Sequence, residues 1–229
     1  MNYVTAQHGN LCDSMLDKDL SKTRFIVSFP NKKVVSVAVT RKCGSSTAYS
    51  IMGYPRTGVH DRDNKEVLFH NNEFWIYEDE CPHDIDYRFA IIRDPIERLL
   101  SVYRHRILIR NKDNVKDKCP TWDSFVNNIE HIQKNYYDVA LHSHFQTDKL
   151  GLDPTAYDKI FLTDNIDNTF VPCIKEISGT NIPPIKLKPT KQFNDGIVVT
   201  QQHVDLIKEY YRDDCNFLQQ AQANQLLVQ

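Results

Sequence analysis

The chain has 229 residues, 41% of them apolar and 25% charged, which is enough to bury one core and predicts a single domain over 1–229. Its 28 Lys and Arg nearly balance 30 Asp and Glu, and the net charge of -2 argues against bulk electrostatic binding to nucleic acid or an anionic membrane. No apolar run is long enough to span a bilayer and the polar start "MNYVTAQHGNLCDSMLDKDLSK" has no apolar h-region, so the expectation is a soluble, cytoplasmic protein without an integral membrane segment.

Residues 1–23 read as an N-terminal extension. The run "KVVSVAVT" then predicts a buried strand leading through "RKCGSST" into a helix. Gly44 lets this turn close tightly, Ser45, Ser46 and Thr47 set hydroxyls beside the helix amides, and Lys42 can reach over a bound group as a point charge. Unpaired amides and the positive end of the helix dipole favour a phosphate or sulfate there. It is not a Walker A loop, because G-x-x-x-x-G-K-[ST] puts its lysine after the second glycine, whereas Lys42 precedes Gly44. An ordinary strand-to-helix turn with a surface lysine fits the same residues.

Strands are next predicted at "FWIY" and "YRFAIIR". Arg93 ends the second, Asp94 can cap a helix, and Pro95 suits its first position, where a missing N–H costs nothing. In "PIERLLSVYRHRI" Ile96, Leu99, Leu100, Tyr103 and Ile107 share one face, while Glu97, Ser101 and Arg104 line another. Arg93 and Ser101 can thus grip one anion, the guanidinium as a fork and the hydroxyl as a further donor.

Helices at "TWDSFVNNIEHIQK", "NTFVPCIKEIS" and "TQQHVDLIKEYYRDD" alternate with a strand at "DKIFLTD". The alternation predicts an α/β domain with a mainly parallel sheet, whose ligands bind at strand C-termini, here after Thr40 and Ile92. Six cysteines (Cys12, Cys43, Cys81, Cys119, Cys173, Cys215) lack ligand spacing and read as reduced thiols, and the His142/His144 pair lacks a third nearby metal ligand. Lysines 186, 188 and 191 in "KLKPTKQF" are solvated by default, though they can meet an anionic group. The Gln-rich end, 219–229, reads as a fraying helix.

Two separated anion sites, one with a lysine over the reacting group, resemble those of sulfotransferases that use 3'-phosphoadenosine 5'-phosphosulfate (PAPS). "RKCGSST" resembles the family's 5'-phosphosulfate loop and "RDPIERLLSVY" its 3'-phosphate motif, with Arg and Ser at Arg93 and Ser101. The one departure is Arg41, where the usual loop has proline. The resemblance is nearest to the carbohydrate branch that includes heparan and uronyl 2-O-sulfotransferases, and covers Val34 to Tyr103 best. It implies a P-loop-like three-layer fold, transfer from PAPS without a metal (product 3'-phosphoadenosine 5'-phosphate, PAP), and a hydroxyl acceptor, by family weight a glycan. Lys42, Cys43, Gly44, Ser45, Ser46, Thr47, Arg93 and Ser101 then hold the donor, with Lys42 stabilising the bridging oxygen as the phosphate leaves.

A base must take the acceptor's proton. Related 2-O-sulfotransferases carry a histidine-containing stretch ahead of their arginine motif, which points first to His70 in "LFHNNEFW"; their second histidine is replaced by Asn72, and His60, Glu78 and Glu80 stay open. His142, His144 and Gln146 in "HSHFQTDK" resemble a histidine-aromatic-x-Gln stretch of the same branch, read either as an acceptor wall or as an exposed polar loop. Two alternatives remain. A kinase-like phosphotransferase would share the cradle but needs the Walker spacing and a Mg²⁺ site, and a binding-only relative would keep Arg93 and Ser101 without a base.

Overall fold

The computed structural model describes residues 24–52, 73–75, 83–111, 114–180 and 196–228. In chain order these form β1 (Arg24–Ser28), β2 (Val34–Val39), α1 (Ser45–Ile51), β3 (Glu73–Trp75), β4 (Tyr87–Ile92) and α2 (Pro95–Val102). A π-helical segment, Tyr103–Arg110, continues α2 and precedes the short α3 (Val115–Lys118), α4 (Trp122–Asn127), α5 (Ile129–Asn135), α6 (Tyr137–Ser143) and α7 (Thr147–Leu150). Then come β5 (Lys159–Leu162), α8 (Ile166–Ser178), α9 (Gln201–Tyr210), α10 (Arg212–Ala223) and β6 (Leu227–Val228).

The strands make one sheet in the order β3-β1-β2-β4-β5-β6. β2, β4, β5 and β6 pair in parallel, and β1 lies antiparallel to both its neighbours. Parallel strands need crossovers, so helices cover both faces and the central strands are apolar on both sides. Val35, Val37, Val39, Phe89, Ile91 and Phe161 face one layer, where Ala48 and Ile51 of α1 and Phe170 and Ile174 of α8 pack on them. Ala38, Ala90, Ile92 and Ile160 face the other, against Leu150 and Phe217. Burying one such large side chain stabilises the fold by roughly 1.5–3 kcal/mol. The result is the α/β fold expected, three layers deep. A further helical core joins Leu99, Leu100, Tyr103 and Ile107 to Trp122, Phe125, Ile132 and Tyr211. Among the described residues no helix is long and apolar enough to cross a membrane.

The entry to α2 reflects its local chemistry: the Asp94 carboxylate accepts from the N–H groups of Ile96 (2.9 Å) and Glu97 (3.2 Å), and Pro95 opens the helix. Beyond Val102 the helix departs from regular α geometry. From Tyr103 the hydrogen bonds lengthen to the i→i+5 pattern, ending where Asn111 N–H donates to Arg106 C=O (2.9 Å) at a left-handed Asn111 (φ 39°).

At the C-terminal end α10 runs on to Ala223 with Ala221 fully buried, and Leu227 and Val228 pair with Ile160 and Phe161 as β6. Burial of Phe217 and Ala221 on the sheet holds the helix end, and Ile160 N–H donates to Leu226 C=O (2.9 Å).

Candidate active site

Because β2, β4 and β5 are parallel, their C-terminal ends open on one edge of the sheet, and three loops meet there. In the first, Cys43 N–H donates to Thr40 C=O (3.3 Å), and Lys42 (φ 65°) and Gly44 (φ 74°) are both left-handed. Gly44 has two reasons to lack a side chain: a Cβ there would be strained at that φ and would lie 3.3 Å from Ile166 Cδ1 and Thr163 Cγ2 in the third loop. Thr163 in turn donates its hydroxyl to Ile92 C=O (3.0 Å), tying the third loop to the second. α1 starts at Ser45 with no side chain capping it; Ser45 is half-buried, Ser46 exposed and Thr47 buried.

Buried side chains fix the first two loops. The Arg98 guanidinium, 3% exposed on α2, donates to the carbonyls of Arg41 (3.2 Å) and His144 (2.5 Å). Gln146 is 1% exposed, and its carboxamide meets both main-chain groups of Arg93, accepting from N–H (3.0 Å) and donating to C=O (2.9 Å). The Gln146 Oε1 also accepts from the Cys43 thiol (2.9 Å), whose sulfur takes the Thr40 hydroxyl (3.0 Å). Burial pushes that thiol's pKa up, which keeps Cys43 protonated and donating to Gln146.

Around Lys42 the charge is positive. Burial first, then Arg106, Arg93 and Arg110, lower its pKa to about 8. Arg106 and Arg110 come from the π-helical segment, as does His105, which burial and then Lys42, Arg106 and Arg110 push down to about 4. A neutral imidazole of that pKa is a weak base. The Arg106 guanidinium meets both Asp138 oxygens (3.3 Å) and contacts His142 Nε2. Burial and then Arg106 hold His142 near pKa 3, so the neutral ring is assigned as donating Nδ1–H to Asp138 C=O (2.6 Å). Among the described residues Arg93 has only long ion pairs, to Asp164 (3.5 Å) and Glu97 (3.8 Å). Among the described residues, buried Arg93 Nε, His105 Nδ1 and Arg106 Nε have no hydrogen-bond partner. A set of donors this rich in positive charge, with several N–H groups unsatisfied, fits a ligand carrying several anionic oxygens.

A family model described as "Sulfotransferase family" matches residues 24–167, more than half the chain. The chain belongs to the sulfotransferase family. Comparison with the curated proteins and with the solved structures finds no match. The matched segment runs from β1 into the start of α8, so it contains all three loops of this sulfotransferase's site.

Of the residues predicted for the site, Lys42 through Thr47 lie in one turn and Arg93 is held beside it through Gln146. Ser101 is half-buried on α2, about 9 Å along the axis from Pro95, and on that helix the Arg93 guanidinium touches Glu97 rather than Ser101. His60, His70, Glu78 and Glu80, and Lys186, Lys188 and Lys191, lie outside the described residues, as do Cys12 and Cys81. Cys43, Cys119, Cys173 and Cys215 are free thiols.

Of the two readings of "HSHFQTDK", the exposed polar loop is corrected: Gln146 and His142 are buried, and Gln146 braces the Lys42 loop and the Arg93 strand end. His144 is half-buried beside the Asp148 carboxylate. Sequence reasoning missed Arg98, His105, Arg106, Arg110 and Asp214. The run "RHRILIR" offered a signal in its four-residue spacing of Arg106 and Arg110.

Proposed function

We propose that this sulfotransferase moves a sulfuryl group from PAPS to an acceptor hydroxyl, on a carbohydrate by its resemblance to the 2-O-sulfotransferases. The observation that carries the reading is Lys42, held in a left-handed turn at the end of a central strand, with Arg93 at the next strand end and Arg106 and Arg110 around it. In this reading the turn from Lys42 to Thr47 holds the phosphosulfate and Arg93 and Ser101 hold the 3'-phosphate. The acceptor oxygen attacks sulfur, the S–O bond to the phosphate breaks, and Lys42 stabilises the charge that gathers on the bridging oxygen. The acceptor's proton goes to a base, for which His70 is the first choice, ahead of Glu78, Glu80 and His60.

The direct test is transfer of labelled sulfate from PAPS across a panel of hydroxyl-bearing glycans and small alcohols. Binding gives a second test: calorimetry should show PAP held roughly ten- to a hundredfold more tightly than 5'-AMP, as a charge-assisted contact contributes on the order of 1.5–3 kcal/mol. Equal affinities would remove the 3'-phosphate site from the reading.

The state of Lys42 sets a pH dependence. Its ammonium is complete well below the pKa of about 8 and is lost as pH rises through it, so kcat/KM for PAPS should fall on the alkaline side of pH 8. Lys42→Arg, which stays charged, should flatten that limb while lowering the rate at neutral pH. An unchanged alkaline limb in Lys42→Arg would assign it to another group.

A further inference from the structure

The carboxamide of Gln146 takes the place that a neighbouring strand would take beside β4. The last rung between β4 and β5 is Ile92 with Leu162; one residue on, Arg93 gives both its N–H and its C=O to Gln146. The same oxygen accepts the thiol of Cys43, so a single side chain bonds to the lysine-bearing loop and to the arginine-bearing strand end. Gln146 is itself held from behind. The carboxylate of Asp214, 1% exposed in the first turn of α10, accepts from Gln146 N–H (3.0 Å), Thr147 N–H (2.9 Å) and the Thr147 hydroxyl (2.9 Å), with Gln146 Nε2 at 3.4 Å. Asp214 lies beyond the segment matched by the family model.

From this we infer that Gln146, anchored by Asp214, is a positioning residue that fixes the spacing between the Lys42 loop and Arg93, so that the site recognises a nucleotide with two anionic groups at a set separation. The inference rests on the donor reading above and specifies how that site discriminates. A ligand with one phosphate needs only one loop, and each loop can settle on it separately. A 3',5'-bisphosphate needs both at once, so its affinity carries the benefit of their being held in register beforehand. Buried and hydrogen-bonded at every polar atom of its amide, Gln146 has little freedom to let the two loops drift.

The test is calorimetry on the full chain with PAP, 5'-AMP and 3'-AMP, for the native protein and for Gln146→Met, which keeps the side-chain length but makes none of the hydrogen bonds. Gln146→Met should lose on the order of tenfold in PAP affinity, with the two monophosphates changing by less than about threefold, because the register and not either contact is lost. A merely structural role would weaken all three nucleotides in proportion, and that result overturns the inference, as does an undiminished PAP advantage in the variant. If the native protein shows no preference for PAP, the donor reading fails and the inference falls with it, an outcome visible before any variant is made. Should Gln146→Met not fold, Cys43→Ala cuts only the link from the Lys42 loop; a fall in the PAP advantage of about threefold supports the inference and an unchanged advantage overturns it.

Discussion

Replacing Lys42 by alanine should lower the turnover number for sulfate transfer by about a hundred- to a thousandfold, roughly 2.7–4 kcal/mol, and lower PAPS affinity much less. The separation of the two effects comes from the surroundings. Arg93, Arg106 and Arg110, whose fields depress the Lys42 pKa, all remain in the variant and continue to attract a polyanion. On the proposed mechanism the variant loses a compact charge placed over an oxygen that becomes more negative only as the S–O bond breaks. Arginine should restore the rate in part, since a planar fork cannot reproduce an ammonium placed over a single atom. Steady-state kinetics beside direct donor binding decide the matter. A tenfold or larger rise in the PAPS dissociation constant with turnover intact would make Lys42 a ground-state tether and this mechanism wrong.

Arg93→Ala should cost about ten- to a hundredfold in PAP affinity and much less in 5'-AMP affinity, with cooperative melting retained. Its present ion pairs, at 3.5 Å to Asp164 and 3.8 Å to Glu97, are well beyond the 2.7–2.9 Å of a strong charge-assisted bond, so a phosphate can replace them at small cost. Both carboxylates are more than half exposed and can turn to water instead. The main-chain groups of Arg93 carry the structural duty through Gln146, and alanine keeps them. Loss of cooperative melting in Arg93→Ala would show that the guanidinium holds the fold.

The turn after β2 and the helix start after β4 were legible because their chemistry is local. Asp94 and Pro95 mark a helix start within three residues, and Gly44 supplies a left-handed turn that few other residues adopt. The central strands were legible from apolar runs buried on both faces. The brace was not, because Gln146 meets Arg93 across 53 positions, Asp214 across 68 and Cys43 across 103, and nothing in a linear pattern says which glutamine will be buried. Arg98 was missed for a related reason: only the fold supplies the carbonyls of Arg41 and His144 that make its burial tolerable. The Tyr103–Arg110 segment shows helical periodicity, and its lengthened hydrogen bonds, which decide where Arg106 and Arg110 point, leave no mark in composition. β6 is two residues long and exists only because β5 offers it an edge.

On the proposed mechanism the backbone of Lys42 sets stability against activity. A non-glycine residue in the left-handed region costs about 1–2 kcal/mol, and glycine at that position would relieve it. Heat tolerance, selected by itself, therefore favours losing the lysine, and the chain keeps an amino acid that its own turn disfavours. Screens for hardier variants of this protein should score turnover in the same round, because position 42 is where the two selections pull apart.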